Sequence, residues 1–416
     1  MVQTQTQPQS ATADRQAVYD AVLAAIERER GAILDVADAI HANPELALEE
    51  HAAAARLAET CERYGFAVER GSGGLPTAFT ARRHGIGPGP AVALLAEYDA
   101  LPGLGHGCGH NLLAGSTLAA AVGLAAVIDR LPGEVLLIGT PAEEAEGGKI
   151  RLIEAGAFAG VDIALSSHHG GNETRVAVRA PQGTCLAVAH LRFAFHGRTA
   201  HAAADPHEGI NALNAVIHCF TGLDALRQHV TPDVRIHGIV TDGGRAPNVV
   251  PDFAAAEFLV RAASVEAVDA VVARAVAVAE GAATMTGATL ELSRPSPTYA
   301  DVRPNYALGR LLRSKLAAVG LPERDPDGRH DNQTGPGAYS TDLGNVSRLI
   351  PTATISFAIS ETPIRGHSLD VVNASISPLG RENALKTGKA LALAAVDLLA
   401  DPALVEEARA EFRGGA

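Results

Sequence analysis

The chain has 416 residues, of which 47% are hydrophobic and 19% are charged, and its formal net charge is −13. Two domains are expected, because a chain of this length exceeds one hydrophobic core. The acidic balance and the lack of a Lys/Arg run argue against a nucleic-acid partner. No apolar stretch of roughly 18 residues and no secretory signal is found, which predicts a cytoplasmic protein that does not span a membrane.

Four cysteines lie far apart, at positions 61, 108, 185 and 219. They are too few and too scattered for a disulfide framework, which is typical of a reducing compartment and leaves a thiol available as a metal ligand. The polar composition of residues 1–14 predicts a disordered tail.

The next part of the chain alternates helical and strand patterns. Helical periodicity over 15–64 is divided into two helices by Asn43-Pro44, and Gly65 marks the end of the second. An α/β pattern follows, which predicts a mixed, mostly parallel sheet with ligands bound at the carboxyl ends of its strands. The predicted strands lie near 66–70, 77–82, 91–96, 134–140 and 161–166, with a helix at about 110–130.

The pattern changes at residue 185 into the order β-α-β-β-α-β, which predicts an inserted ferredoxin-like domain over 185–294. Its predicted elements are strand 186–196, helix 208–229, strands 234–241 and 253–262, helix 264–283 and strand 288–294. After Pro295 the α/β pattern returns, with helix 305–319, strand 353–358 and a final helix at about 381–399. The first domain is therefore expected to comprise 15–184 plus 295–416.

The segment AEYDALPGLGHGCGHNLLAG, residues 96–115, follows a buried strand and precedes a helix. Cys108 and His110 are two residues apart, so in extended backbone their side chains point to one side and can reach one metal. The glycines of this loop also suggest a phosphate-binding turn, but no GxGxxG register fits them. A tight turn without a metal remains the alternative.

Two further strands end in residues that bind metals in other proteins. Glu143 and Glu144 follow one of them, and neighbouring side chains in extended backbone point in different directions, so one can bind metal while the other faces substrate. His168 and His169 end the next strand, and His367 lies in a later loop. An acidic surface turn and structural histidines are the alternatives, but the convergence of three strand ends favours a site.

These motifs resemble the metallopeptidase family that contains aminoacylase, carboxypeptidase G, the indoleacetyl-amino-acid hydrolases and the aminobenzoyl-glutamate hydrolases. The resemblance covers nearly the whole chain. GCGHN, where the auxin-conjugate branch usually has CGHD, makes the aminobenzoyl-glutamate hydrolases and related dipeptidases the most similar branch. The shared motifs are DALPG, GHGCGHN, GTPAEE, IALSSH, FHGRTAHAA, PNVVPD and STDLGNVS.

For the metal site, the resemblance implies Glu143 as general base and Asp99 as the carboxylate that orients a ligand. His168 aligns with the family's histidine, and His169 is the reserve. The implied ligands of two divalent ions, zinc or manganese with cobalt as an alternative, are Cys108, His110, Glu144, His168 and His367.

In the inserted domain, the resemblance implies that His201 reaches across a homodimer interface to the scissile carbonyl. Asn248 and Arg261 match positions that hold the substrate carboxylate. Each of the three would otherwise be interpreted as a solvated polar residue. The inserted domain is accordingly expected to be a lid and dimerisation domain.

The implied function is hydrolysis of an amide bond in an N-acyl amino acid, an N-aroyl amino acid such as aminobenzoyl-glutamate, or a short dipeptide. A metal-activated water is the implied nucleophile. Two alternatives remain: an inactive relative that binds amino acids or peptides, and a deacetylase or aminopeptidase of the same architecture. An inactive relative is expected to have lost Glu143 or a ligand.

Overall fold

The computed structural model describes residues 8–415 and divides them into two compact units. The larger unit contains 8–184, Arg303–Pro336 and the described residues from Asn345 onward, and the smaller contains Cys185–Val302 and Gly337–Gly344. Residues 295–302 and 337–344 therefore belong to the smaller unit, whereas the sequence pattern assigned them to the larger.

The larger unit is built on a seven-stranded sheet with the strand order β1-β2-β4-β3-β5-β11-β6. The central pairs β4/β3, β3/β5 and β5/β11 are parallel, and the outer pairs are antiparallel. The strands are β1 Ala67–Arg70, β2 Phe79–His84, β3 Ala91–Ala96, β4 Glu134–Gly139, β5 Ile163–His169, β6 Arg175–Val176 and β11 Thr352–Phe357.

Helices cover this sheet. One of them, α4, is buried at every residue, because it packs against α1, α2 and α11 as well as against strands of the sheet. Its composition of Ala, Gly and Leu permits this close packing on all sides. The helices are α1 Pro8–Arg28, α2 Arg30–Ala42, α3 His51–Arg63, α4 His110–Ala125, α5 Gly148–Glu154, α8 Tyr306–Ala318, α9 Leu343–Ser347 at the boundary of the units, α10 Leu369–Ala374, α11 Pro378–Ala400 and α12 Pro402–Gly414.

The smaller unit is a four-stranded antiparallel sheet of order β10-β7-β9-β8, packed against α6 and α7. Its chain order is the predicted β-α-β-β-α-β, so the fold class is confirmed. The elements are β7 Ala187–His196, α6 Ala212–Leu226, β8 Arg235–Asp242, β9 Phe253–Ala262, α7 Val265–Thr286 and β10 Thr289–Ser293.

The N-terminal region differs from the prediction. Three helices occupy 8–63 in place of two over 15–64, and the break at Asn43-Pro44 is a loop that runs to Glu50. Residues 8–14, predicted as part of a disordered tail, lie in α1, and the rest of that tail lies outside the described residues. Among the described helices, none is long and apolar enough to cross a membrane.

Candidate metal centre

The neighbouring strands β4, β3 and β5 run parallel, so their carboxyl ends meet at one edge of the sheet. The chain leaves these ends through 97–109, 140–147 and the residues after His169. The predicted ligands and base of the metal site are all found at this edge, in the larger unit.

His110 is the first residue of α4 and is fully buried. Its Nδ1 lies 2.9 Å from the carbonyl oxygen and 3.0 Å from a carboxylate oxygen of Asp99. Both are acceptors, so Nδ1 carries a proton, and Nε2 is the nitrogen that can take either a second proton or a cation. Gly109, which precedes His110, has a φ of +67°, and a Cβ there would lie 3.2 Å from the ring of His169. Glycine at this position therefore allows the close approach of the two loops.

Asp99 also fixes a second part of the site. Its other carboxylate oxygen accepts a hydrogen bond from the backbone N–H of Glu144 at 2.9 Å. Burial alone would raise the pKa of Asp99, but the charge and hydrogen bond of His110 outweigh it and hold that pKa below its ordinary value. One ionised carboxylate thus contacts both His110 and the turn that carries Glu144, which is the position that the orienting role implied by the resemblance would require.

Sequence reasoning missed Glu97 and Lys149, which form a buried ion pair of 2.7 Å at this edge. Burial alone would raise the pKa of Glu97, but the Lys149 ammonium group, together with His110 and His168, outweighs burial and holds the pKa below its ordinary value. The second oxygen of Glu97 is 3.5 Å from Nε2 of His110. Glu97 directly follows a buried strand and stands two residues before Asp99, a position that could have revealed it.

The two glutamates lie on a turn after β4. Glu144 places one carboxylate oxygen 3.9 Å from Nε2 of His110 and the other 3.4 Å from Nε2 of His367. Glu143 is buried, and one of its oxygens lies within 4.8 Å of the facing atoms of His110 and Glu144. Both carboxylates therefore lie close to the ring of His110, although the two side chains belong to neighbouring residues.

The hydrogen bonds of His168 and His169 differ. Nδ1 of His168 lies 2.9 Å from the carbonyl oxygen of His169 and must donate to it, which leaves Nε2 with a lone pair 3.5 Å from Sγ of Cys108. In His169, Nδ1 accepts a hydrogen bond from the backbone N–H of Gly171 at 3.3 Å, so the neutral ring carries its proton on Nε2. Only His168 therefore turns an available lone pair toward the thiol in its neutral form.

His367 completes the cluster from the loop before α10. Its φ of +51° is unusual for a residue other than glycine, and its N–H donates to the carbonyl oxygen of Gly107 at 3.1 Å. This contact ties the His367 loop to the loop that carries Cys108. Its side chain is exposed, in contrast to the buried members of the cluster.

The donor set fits divalent cations. Nε2 of His110 and one carboxylate oxygen of Glu144 are buried and have no hydrogen-bond partner among the described residues. A lone pair on Nε2 that faces the oxygens of Glu97 and Glu144 requires a proton or a cation between them. Four groups of three residues can be drawn from this cluster in which the ligand atoms of each group lie within 4.8 Å of one another. Together the four groups contain thiol, imidazole and carboxylate donors. This mixture is typical of zinc and related divalent metals.

The three remaining predicted residues lie in the smaller unit. His201 pairs with Val249 in an isolated bridge, beside the exposed Asn248. Nδ1 of His201 accepts backbone N–H groups at 3.0 and 3.2 Å, so Nε2 carries the proton and faces outward as a donor. Arg261 is half-buried on β9 and donates to the hydroxyl of Ser340 at 2.8 Å. The structure thus brings His201 and Asn248 together in two paired loop segments, whereas Arg261 lies on strand β9.

Comparison with known proteins defines the class. Residues 186–284 match the family described as the peptidase dimerisation domain of the M20 peptidases. A mouse Xaa-Arg dipeptidase is 37% identical over 388 residues, covering 90% of this chain and 87% of the relative. One of the subunits of the Escherichia coli p-aminobenzoyl-glutamate hydrolase is 31% identical over 470 residues, covering 96% of this chain and 95% of that relative.

A Bacillus subtilis structure described as a dinuclear metal binding peptidase from the M20 family has the same fold, with a TM-score of 0.67 and 22% identity over 90% of this chain and 99% of that one. Fold and site together define a metal-dependent amidohydrolase. The chain belongs to the M20 peptidase family. The predicted resemblance to aminobenzoyl-glutamate hydrolases and dipeptidases is confirmed.

Proposed function

We propose that this protein hydrolyses the amide bond of an N-acyl or N-aroyl amino acid or a short dipeptide whose released residue has a free α-carboxylate. The observation that carries the proposal is the buried Nε2 atom of His110, which has no hydrogen-bond partner among the described residues and faces carboxylate oxygens of Glu97 and Glu144 at 3.5 and 3.9 Å. Such an arrangement favours a cation at the carboxyl edge of the sheet. Two divalent ions, zinc or manganese with cobalt as an alternative, are the proposed cofactors.

The proposed ligands are the five residues inferred from the sequence, and Glu97 is the buried carboxylate that completes their surroundings. The lone pair on Nε2 of His168 supports this residue over His169, whose accepting atom is already used by a backbone N–H. The full set is Cys108, His110, Glu144, His168 and His367. The metals, when bound, would polarise the scissile carbonyl and lower the pKa of water.

Glu143 is the proposed general base. Its buried carboxylate reaches the same cluster as Glu144, so it can accept a proton from a water held there and pass the proton to the leaving nitrogen. Nε2–H of His201 is a suitable donor to the oxygen that becomes negatively charged in the transition state. Loss of one such donor typically costs on the order of 10²–10³ in rate.

Arg261 and Asn248 are the proposed partners of the substrate carboxylate. The half-buried guanidinium group can donate two parallel hydrogen bonds, and burial lowers its pKa without removing its charge at neutral pH. The substrates in the names of the two relatives, an Xaa-Arg dipeptide and p-aminobenzoyl-glutamate, share the α-carboxylate and differ in side-chain charge. We therefore propose that the site recognises the α-carboxylate of the released residue.

A homodimer through the smaller unit is part of the proposal. Strand β8 lies at the edge of its sheet and is exposed along most of its length, with Ile239 66% exposed and Val240 48% exposed. Edge strands with apolar side chains are rarely left unprotected in monomers. The match to a peptidase dimerisation domain over 186–284 supports the same assembly. His201 is then the residue proposed to serve the partner's site.

The experiment that tests this function is an assay of the purified protein against matched substrates under several metals. Xaa-Arg dipeptides, p-aminobenzoyl-glutamate and N-acetyl amino acids are each assayed as the free acid and as the α-amide. We expect chelation to abolish hydrolysis reversibly and amidation to lower kcat/KM by about tenfold or more, since the bidentate clamp is lost. Equal cleavage of acid and amide would refute the carboxylate clamp and favour an aminopeptidase. Substrate binding without turnover under every metal would favour an inactive binding relative.

The shared site is tested by mixing inactive subunits. His201→Ala and Glu143→Gln proteins are combined under conditions in which subunit exchange is verified. If His201 serves the partner, some mixed dimers contain one complete site and activity returns. Lack of any recovery after verified exchange would contradict the assignment of His201.

A further inference from the structure

The loop between α2 and α3 accepts hydrogen bonds from the two segments that follow β3 and β4 at the metal centre. Glu45 in this loop caps α3, because its two carboxylate oxygens accept the N–H groups of Ala52 and Ala53, each at 2.9 Å. The carbonyl oxygen of Glu45 accepts the N–H of Ala100 at 2.8 Å. Capping by Glu45 leaves the carboxylate of Glu50, which immediately precedes α3, free to turn inward.

Glu50 is completely buried, and one of its oxygens accepts the backbone N–H of Ala142 at 2.8 Å. Burial raises the pKa of its carboxyl group, and the neighbouring charge of Asp99 acts in the same direction. A buried acidic side chain is uncommon unless a specific contact retains it. No part of the proposed mechanism uses this carboxylate directly.

Ala142 has a φ of +59°, in the left-handed region that side chains other than glycine seldom adopt. It comes immediately before Glu143 and two residues before Glu144. Its carbonyl oxygen is held as well, by the N–H groups of Glu146 at 3.2 Å and Gly147 at 2.9 Å. The hydrogen bond from the N–H of Ala142 to Glu50 therefore fixes the N–H side of a residue whose carbonyl side is already held, and it does so in an unfavourable backbone conformation.

We propose that Glu50 is a positioning residue, which holds Ala142 in the left-handed conformation and so sets the directions in which Glu143 and Glu144 leave the strand. Without this acceptor, the buried N–H loses its partner and the backbone of Ala142 relaxes toward negative φ. Rotation there displaces the base and the ligand together. The inference rests on the proposed roles of Glu143 and Glu144.

Three variants test this mechanism. Glu50→Ala removes the acceptor, Glu50→Gln retains an oxygen that can accept the same N–H, and Ala142→Gly makes positive φ favourable without the acceptor. The decisive protein is the double variant Glu50→Ala/Ala142→Gly. Glu45→Ala is the matched control. It removes a carboxylate from the same loop that also accepts backbone N–H groups, but these N–H groups belong to α3 and not to the turn that carries Glu143 and Glu144.

The first measurement is hydrogen exchange of the segment 140–148, which requires neither metal nor substrate. Glu50→Ala is expected to lose protection there, and Glu45→Ala is expected to keep it. The second is steady-state kinetics at saturating metal, with Co²⁺ absorption as the report on the ligands. Glu50→Ala is expected to lower kcat by about 10²-fold with little change in KM, as for a misplaced catalytic group, and to alter the Co²⁺ spectrum.

Rescue separates positioning from a general loss of stability. Glu50→Gln is expected to retain kcat within a few-fold of wild type, and the double variant is expected to recover about tenfold over Glu50→Ala. Unchanged exchange in Glu50→Ala, or a double variant no faster than Glu50→Ala, would overturn the proposal. If Glu50→Ala does not fold, Glu50→Asp, one methylene shorter, replaces it in the same set. A wild-type protein that binds no Co²⁺ and cleaves no substrate would refute the proposed function, whereas the exchange data would still decide the role of Glu50.

Discussion

Asp99→Asn should weaken metal binding although it changes only one atom of a buried side chain. Asp99 is 1% exposed, and its two oxygens accept from His110 Nδ1–H at 3.0 Å and from the N–H of Glu144 at 2.9 Å. An asparagine has one accepting oxygen, so its NH₂ group must face one of these donors. If it faces His110, Nδ1–H keeps only the carbonyl oxygen of residue 99 as an acceptor, so the preference for the tautomer that leaves Nε2 free to bind metal is weakened.

The size of the effect follows from the contact that is lost. A hydrogen bond to a charged group contributes about 2 kcal/mol, which corresponds to roughly 30-fold in the Kd for the metal. This value lies inside the range of ~10–100-fold that is usual for partners of metal ligands. Competition for Zn²⁺ against a chromophoric chelator measures it directly, and thermal unfolding of the metal-free proteins reports the accompanying change in stability.

Asp162→Asn is the matched control, at the opposite end of β3. Asp162 accepts the N–H of Ala91 at 2.9 Å and also contacts Arg409, so it has the same chemistry without a path to the ligands. We expect it to lower Tm and to leave the Zn²⁺ affinity unchanged. An Asp99→Asn protein that binds Zn²⁺ as tightly as wild type would refute the orienting role, and so would an equal loss of affinity in the control.

Three further predictions follow from other contacts. Glu143→Gln should keep its metal and lose kcat by several orders of magnitude, whereas Glu144→Gln should lose metal as well; near-normal kcat in Glu143→Gln would contradict the assigned base. Chelation should make one thiol reactive toward a thiol reagent, slowly at neutral pH and faster at alkaline pH because burial raises the pKa of the Cys108 thiol, and Cys108→Ser should abolish that signal, because the other cysteines are buried. Burial alone would lower the pKa of Lys315, but its hydrogen bond and 2.5 Å ion pair with Asp397 raise it above its ordinary value of 10.5. The contribution of this ion pair to the free energy of unfolding is therefore complete below pH 10.5 and is lost as the pH rises through the raised pKa. Tm of wild type should accordingly fall more steeply with rising alkaline pH than Tm of Lys315→Met.

The sequence predicted the strands of both sheets well where apolar runs are bounded by turn residues. Strands β3 and β9 have the predicted limits, 91–96 and 253–262. It did not predict the short elements α5, β6, α9 and α10, which contain too few residues for a periodic pattern to emerge. The helix predicted as the final one is α11, and the sequence did not predict α12, which follows it after Asp401. Helix α1 was missed in part because a polar segment of this kind is helical only through its continuation into a packed helix.

Residue type and position after a strand were enough to predict that Cys108, His110 and Glu144 meet at one edge of the sheet, because parallel strands bring their carboxyl ends together. Their role as metal ligands came from the family resemblance and is part of the proposed function. Sequence spacing could not decide between His168 and His169, since that choice depends on which ring nitrogen a backbone group occupies. The Glu97–Lys149 pair and the contact from Glu50 to Ala142 join residues 52 and 92 positions apart in the chain, respectively. Contacts over such separations exist only once the chain has folded, because the sequence determines local patterns whereas packing determines which distant charges meet.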